Sequence, residues 1–572
     1  MNKSTRPVRP AAESFLQTLH EQGVEYVFAN AGTDFAPLIE AMVELAEQGR
    51  PIPRFFTVPH ENVALSMAHG YYLASGKMAV AMVHVSVGTA NALCGVMNAA
   101  RDNAAILLVA GRSPNTETGH VGSRNAGIHW GQESFDQGGM LREYVKWDYE
   151  LRAGQSVAEI TRRALDIAMT EPRGPVYLAM PREVLADPDP GAAAPSRSRI
   201  PGAISATPDQ AEIDRAADRI AGARLPLIIT ASSGRYPENV ELLSRLADDF
   251  GIAVAQPGPP GTRTLNIPWD HPMFLGSNNV SVLKQADVII ALDCDVPWWP
   301  KVAAPGPDAW LIHIGPDPFF SRLPLRGFAM DQAIAGSTSA ALSMLHAALR
   351  ARSGEYQTQI RTRHQAIHVM QQQRLADNRR SMESAAAGRP LEAPWVAACI
   401  NAVKDEDTII INELGVPVDL LELSQPRSYL SSSTAGGLGF ALGAALGAKL
   451  AAPGQKVIAI VGDGTYMFGN PTAAHFTGRA EGLPTLTMVL NNHRWNAVRL
   501  STVAMYPEGK AAAREAMPLV PLRPSPDFEK IMEACGGYGE RVEDPAELEA
   551  AIRRGLDANA RGIPSLLNVI MR

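Results

Sequence analysis

The sequence predicts an α/β protein made of three doubly wound, parallel-sheet domains. Short apolar runs recur in three blocks, and each run ends in turn or polar residues, the pattern of strands buried on both faces. Stretches of helical length separate the runs, and strand–helix alternation implies parallel pairing. The length, 572 residues, exceeds what one hydrophobic core organises.

The first block opens with a helix over 11–22, then a short strand, Tyr26-Val27-Phe28, and the loop Asn30-Ala31-Gly32-Thr33. Further strands are expected at 78–85 (MAVAMVHV), 104–111 (AAILLVAG) and 174–181 (GPVYLAMP). Residues 186–208, rich in Pro, Ala, Gly and Ser, read as a linker. The second block places strands at 225–234, 251–258, 286–295 and 309–318, and the polar, Gln- and Arg-rich stretch 354–388 reads as a surface helix. The third block places them at 407–415, 456–464, 484–492 and 564–571. Domains are therefore expected at 1–188, 206–350 and 375–572. The Gly- and Ala-rich run 435–450 is too short and too weakly apolar to span a bilayer, and reads as a helix that packs closely because its side chains are small.

Hydrophobic residues make up 46% and charged residues 19%, which places the chain among soluble globular proteins. A net charge of −7 argues against a nucleic-acid partner, which needs a basic surface. The N-terminal residues are basic with no apolar stretch behind them, so neither a signal peptide nor a membrane association is expected. Cys94, Cys294, Cys399 and Cys535 lie far apart and form no CxxC pair. They read as buried inert thiols in a reducing, cytoplasmic compartment.

In open α/β sheets, ligands bind beyond the carboxyl ends of the strands. Gly462-Asp463-Gly464 ends the apolar run KVIAIV, and after 26 intervening residues Asn491-Asn492 ends the run TLTMVL. A carboxylate and an amide oxygen are hard ligands suited to Mg²⁺ or Ca²⁺, with phosphate oxygens and water completing the shell. The glycines admit a phosphate close to the backbone, and Thr465 adds a hydroxyl donor. A lone Gly-Asp-Gly is a common strand-to-turn sequence; the second motif at a second strand end makes the pair specific.

Here the chain resembles the thiamine-diphosphate (ThDP) decarboxylase and carboligase family, whose signature is GDG, some two dozen residues, then NN. The resemblance spans essentially the whole chain. It implies pyrimidine-binding, middle and diphosphate-binding domains. It makes Asp463 and Asn492 side-chain ligands of the metal and the carbonyl of Arg494 a third ligand. The block from Glu61 through Asn62, Ala64, Ala68, Gly70 and Tyr71 matches the family's catalytic-glutamate segment. Alone, Glu61 would simply favour a helix N-terminus; by resemblance it is the carboxyl group held against the aminopyrimidine N1' of the cofactor. In Thr434-Ala435-Gly436-Gly437-Leu438-Gly439, the resemblance makes Leu438 the apolar prop of the bent cofactor and the carbonyl of Gly436 the acceptor of its 4'-amino group; core packing is the plain alternative for Leu438. Gly415, two residues beyond Glu413, would offer a backbone donor to the diphosphate.

His84, 23 residues after Glu61, lies in His84-Val85-Ser86-Val87-Gly88-Thr89-Ala90-Asn91-Ala92, which is similar to the catalytic-His segment of benzoylformate decarboxylases. A His can serve there as general acid or base. Two departures stand out. Thr33-Asp34 replaces the Ser-Asn of that group's loop, keeping a hydroxyl at Thr33 and adding a carboxylate. The middle-domain stretch Asp295-Val296-Pro297-Trp298-Trp299-Pro300 lacks the group's second His, so a benzoylformate-type relay is incomplete. The acetolactate synthase branch is the alternative. His84 argues against it, as does Gln132-Glu133-Ser134-Phe135 in place of Phe-Gln-Glu. The segment from Ile312 to Asp317 resembles the adenine-nucleotide segment of acetolactate synthases and acyl-CoA lyases, but Gly315 stands at its first acidic position, so FAD or ADP binding is unsupported.

The expected function is ThDP- and Mg²⁺-dependent cleavage of a 2-oxo acid, or of a related 2-hydroxy carbonyl compound, with carboligation onto an aldehyde as an accompanying reaction. An acetolactate synthase-like or acyl-CoA lyase-like carboligase is the second reading. A non-catalytic ThDP binder is the third, and intact Glu61, His84, Asp463 and Asn492 argue against it. A homodimer or homotetramer with sites shared between subunits is implied by the resemblance. Residues 493–526 are expected to form a substrate lid.

Overall fold

The computed structural model describes residues 9–191, 201–258, 261–277, 280–514 and 516–572; of the expected linker, 192–200 lie outside the described residues. Three sheets form, with parallel pairing throughout. The first contains β1 (Tyr26–Ala29), β2 (Arg54–Thr57), β3 (Ala79–Val83), β4 (Ile106–Arg112), β5 (Asp148–Glu150) and β6 (Val176–Pro181), in the order β2-β1-β3-β4-β6-β5. The second contains β7 (Pro226–Thr230), β8 (Ala253–Ala255), β9 (Val288–Leu292), β10 (Trp310–Gly315) and β11 (Gln332–Ala335), in the order β11-β10-β9-β7-β8. The third contains β12 (Ile409–Glu413), β13 (Tyr429–Ser431), β14 (Val457–Gly462), β15 (Leu486–Asn491), β16 (Tyr538–Val542) and β17 (Ser565–Ile570), in the order β13-β12-β14-β15-β17-β16. The doubly wound α/β class read from the sequence is the class observed.

Strands β3, β4, β6, β7 and β9 are buried along their whole length, which is why they read as unbroken apolar runs. The five strands that the apolar runs did not reveal, β2, β5, β11, β13 and β16, all lie at sheet edges. An edge strand has one neighbour and tolerates polar side chains, as in Arg54-Phe55-Phe56-Thr57 and Asp148-Tyr149-Glu150.

Contacts gather the chain into two compact units: Met1–Ile204 with Ser433–Ala452, and Ser205–Ser432 with Pro453–Arg572. In the first, the helix Phe440–Ala451 lies against the helix Glu61–Ser75 at backbone contact. A Cβ on Gly447 would sit 2.0 Å from the Met67 carbonyl oxygen and 2.6 Å from the Tyr71 nitrogen, and one on Gly70 would sit 2.2 Å from the Ala444 oxygen. These glycines answer for the close packing read from the 435–450 composition. Gly447→Ala is expected to force the helices apart and destabilise by about 1–3 kcal/mol, the usual cost of overpacking. Thermal melting checks it, and an unchanged midpoint would mean that the helices yield without cost.

In the second unit, the helix Gln357–Ala385 is as polar as its sequence, yet it is anchored as well as exposed. Arg363, 2% exposed, donates to the carbonyls of Ile220 (3.1 Å) and Ala221 (2.6 Å), turning a charged residue into a clamp on the middle sheet's flank. None of the four cysteines is in a disulfide; Cys294 and Cys399 are buried as expected, but Cys94 and Cys535 are only half-buried. Among the described residues, no helix is long and apolar enough to cross a membrane.

Candidate functional site

The first and third sheets share one strand order: second, first, third, fourth, sixth, fifth. In each, the winding direction reverses between the first and third strands, and the crevice beyond their carboxyl ends is where such sheets bind ligands. The candidate residues occupy these ends. Thr33 follows β1, Glu61 follows β2 and His84 follows β3; Gly415 follows β12, Gly436 and Leu438 follow β13, Gly462 ends β14, and Asn492 and Arg494 follow β15. Three of the strand ends turn through a non-glycine residue in the left-handed region: Val85 (φ +31°), Leu414 (φ +55°) and His493 (φ +57°). Such residues cost roughly 1–3 kcal/mol each and persist where the surroundings hold a functional geometry.

In the first unit, the turn at Val85 swings the chain from β3 into the helix Val85–Arg101 and presents His84 at the helix start. His84 Nδ1 lies 2.5 Å from Asp34 Oδ1, and its Nε2 lies 3.1 Å from the Gln132 amide nitrogen. The bond to Asp34 raises the His84 pKa; burial opposes it, and the Asp34, Gln132 and Glu61 groups add to the rise. Asp34 is 5% exposed, and Thr33, beside it, is exposed. Glu61 opens the helix Glu61–Ser75, capped by His60, whose Nδ1 accepts the Asn62 N–H at 3.2 Å. Its Oε2 accepts from Asn91 at 2.7 Å, and it is half-buried within its own chain rather than enclosed. The Asn98 amide brackets Gly437, donating to its carbonyl (2.7 Å) and accepting its N–H (3.1 Å). That bracket fixes the backbone between Gly436 (φ +70°), which is exposed, and Leu438, which is half-buried.

In the second unit, Asp463 is 3% exposed; its Oδ1 accepts the Gly464 N–H at 2.9 Å, and its Oδ2 has no hydrogen-bond partner among the described residues. Burial raises its pKa, against the backbone N–H groups of Gly464, Arg494 and His493. A Cβ on Gly464 would overlap the Trp495 ring at 2.1 Å, so glycine is needed for the ring to lie there. At Gly462 a Cβ would meet nothing nearer than 3.8 Å, leaving that backbone open to approach; Thr465 Oγ1 lies at that distance. Asn492 is half-buried; its Oδ1 accepts the Arg494 N–H at 3.1 Å. The Arg494 carbonyl accepts the Asn496 N–H at 2.9 Å. Gly415 packs tightly against Asn412 and Ile460, just past the strained Leu414. Among the described residues, no three or more His, Cys, Asp or Glu side chains gather as a metal cluster. A cation here would depend on Asp463 together with amide and carbonyl oxygens, and the unpartnered Oδ2 suits a divalent ion.

Sequence reading missed Asp34 as the partner of His84, and Gln132, Asn91 and Trp495 as neighbours of the candidate residues. Asp34 and His84 are 50 residues apart. What joins them is the adjacency of β1 and β3 at the winding reversal, which only the strand order reveals. The middle-domain Asp295 is tied up in a buried ion pair with Arg263.

Family models of the thiamine pyrophosphate enzymes match all three sheets: the N-terminal TPP binding domain at 9–140, the central domain at 213–345 and the C-terminal TPP binding domain at 416–569. The chain is 25% identical to a sulfoacetaldehyde acetyltransferase of Rhodobacter capsulatus, over 98% of this chain and 94% of that protein. It is 26% identical to a benzoylformate decarboxylase of Pseudomonas aeruginosa, over 95% and 96%. Its fold is similar to that of a thiamine diphosphate-dependent 4-hydroxybenzoylformate decarboxylase of Rhodococcus jostii, with a TM-score of 0.78, 21% identity and 99% of each chain covered.

Proposed function

This chain belongs to the thiamine pyrophosphate enzyme family, and from that premise we propose that it is a Mg²⁺-dependent decarboxylase of 2-oxo acids. The observation that carries the choice is His84, a half-buried imidazole whose pKa is raised at the end of β3. A reaction that releases CO₂ and ends in an aldehyde needs a proton delivered to carbon, and a general acid supplies it. Bound thiamine diphosphate supplies the electron sink for the carbanion left when CO₂ departs.

The chain's own residues do the rest. Asp463 and Asn492 hold the cation by side chain and Arg494 by its carbonyl, with Ca²⁺ an acceptable substitute. Gly462, Gly464, Thr465 and Gly415 line the diphosphate. The Gly436 carbonyl would accept from the 4'-amino group, Leu438 would be the apolar support beneath the cofactor, and Glu61 would be the carboxyl group that takes up and returns a proton at the aminopyrimidine. Thr33, exposed beside Asp34, offers a hydroxyl to the substrate carboxylate. The enzyme works in the cytoplasm as a homodimer or homotetramer with sites shared between subunits, and takes a small 2-oxo acid, with an aldehyde as product or acceptor. FAD and ADP have no part in this reading.

The test incubates the purified protein with ThDP and Mg²⁺ against pyruvate, branched-chain 2-oxo acids and benzoylformate, measuring CO₂ and organic products together. CO₂ with an equivalent of aldehyde supports the proposal. CO₂ with only condensed 2-hydroxy ketone or 2-hydroxy acid products assigns the chain to the carboligases instead. Subunit sharing is tested by reassociating Glu61→Gln and Asp463→Ala chains. Recovered activity in the mixed dimers is expected; none, with mixed dimers verified by mass spectrometry, places each site within one chain.

A further inference from the structure

His84 is held from one side by an arrangement with little slack. A Cβ on Gly111 would lie 1.7 Å from Asp34 Oδ2, and one on Gly32 would lie 2.1 Å from His84 Nδ1 and 2.7 Å from Asp34 Oδ1. Both backbones are thus hollowed to the width of a carboxylate–imidazole pair. Asp34 Oδ2 also accepts the Val85 N–H at 3.4 Å, so the same carboxylate reaches the strained residue that turns β3 into the helix. On the other side, the Gln132 carbonyl accepts from Ser86 Oγ at 2.8 Å, which ties the Gln132 loop to the helix that His84 begins.

From this packing we propose that Asp34 is a positioning residue for the reaction: its carboxylate keeps the Nδ1 proton of His84 turned inward, so that Nε2 alone carries the transferable proton. The inference rests on His84 being the proton donor proposed above. A carboxylate is acceptor-only, so Nδ1 must be the donor of the short bond. The proton that leaves is therefore the one on Nε2: the Nε2–H bond breaks, a C–H bond forms at the carbon that has lost CO₂, and a neutral ring remains with Nδ1–H still on Asp34. Gln132 accommodates both states, because its amide presents NH₂ to a neutral Nε2 and its carbonyl to a protonated one. The titratable groups facing His84 are Asp34 from the loop after β1, Glu61 from the start of its helix, and His129 from the short helix Ile128–Gly131. Asp34 is the one in direct contact with the ring.

The sign of the effect follows. Asp34 stabilises the imidazolium, so Asp34→Asn lowers the His84 pKa, and the protonated donor is lost at lower pH. Two-dimensional NMR of the cofactor-free protein, with the His84 ring signal assigned by its absence in His84→Gln, reads the midpoint without any turnover. In the wild type it should lie above that of a free imidazole, and Asp34→Asn should lower it by about one pH unit, the scale of one strong charge contact. The alkaline limb of kcat/KM should move down by the same amount. Above the new midpoint kcat should fall about tenfold, with a smaller change in KM. In a His84→Gln background, Asp34→Asn should cost less than about twofold, because residues acting as a unit are not additive. A wild-type midpoint at the ordinary value, or one unmoved by Asp34→Asn, overturns the pairing. A midpoint that moves while the pH profile stays fixed overturns the positioning role. Absence of CO₂ from every 2-oxo acid with the wild type would instead defeat the decarboxylase reading, and the NMR titration would still report on the pair.

Discussion

Glu61→Gln is expected to lower turnover by about 10²–10⁴-fold, the range for a positioned general acid–base group, while leaving the fold and cofactor affinity near wild type. Glu61 is the first residue of a 15-residue helix, half-buried, and its side chain accepts a hydrogen bond from Asn91 Nδ2. A glutamine keeps that bond through its Oε1 and keeps the side chain's shape. What it loses is the ability to take up and return a proton. The charge removed also interacted with the helix N-terminus, a loss of roughly 0.3–1 kcal/mol, too little to unfold the unit. Steady-state CO₂ release, run beside a ThDP titration, separates the possibilities. Tight binding with lost turnover supports proton exchange at Glu61. A near-wild-type rate with cofactor bound would remove Glu61 from the chemistry, and lost binding with a normal rate at saturation would make it a binding residue only.

What the sequence carried and what it did not divide along physical lines. Central strands such as ILLVAGR and VIAIVG are apolar because both faces are covered, so composition alone located them. Edge strands such as DYE are defined by a neighbour's hydrogen bonds, which leave no periodic trace. The GDG and NN motifs were legible because each is local: one turn, a few residues, a fixed distance from a strand. Asp34 was not. In the sequence it is a departure from a relative's pattern; in the structure it is the group against His84. The partnership is created by two parallel strands lying side by side where the winding reverses. Trp495 was hidden for the opposite reason, since nothing in a tryptophan three residues past Asn492 says that it lies over Gly464.

Asp463→Ala should abolish metal-dependent ThDP binding without weakening the cofactor-free protein. The side chain is 3% exposed, one oxygen is held by the Gly464 N–H, and the other has no hydrogen-bond partner among the described residues. A buried carboxylate with an unmatched oxygen is a net cost to folding until a cation reaches it. Removing it therefore takes away an expense in the metal-free state and a ligand in the loaded one. The remaining Asn492 oxygen and Arg494 carbonyl are neutral and cannot offset the charge of Mg²⁺. The loss of affinity should exceed the roughly 10–100-fold that removal of an outer-shell partner costs a metal site. Tryptophan fluorescence is a suitable probe because Trp495 lies against Gly464, next to the substituted residue. Two measurements fix the outcome. In metal-free buffer the variant should melt no lower than the wild type, and with Mg²⁺ and ThDP added the wild-type melting temperature should rise while the variant's stays put, since only a ligand that binds the native state stabilises it. A variant that still gains the full shift would place the cation elsewhere. One that melts far below the wild type without metal would show that Asp463 serves the fold, not the ion.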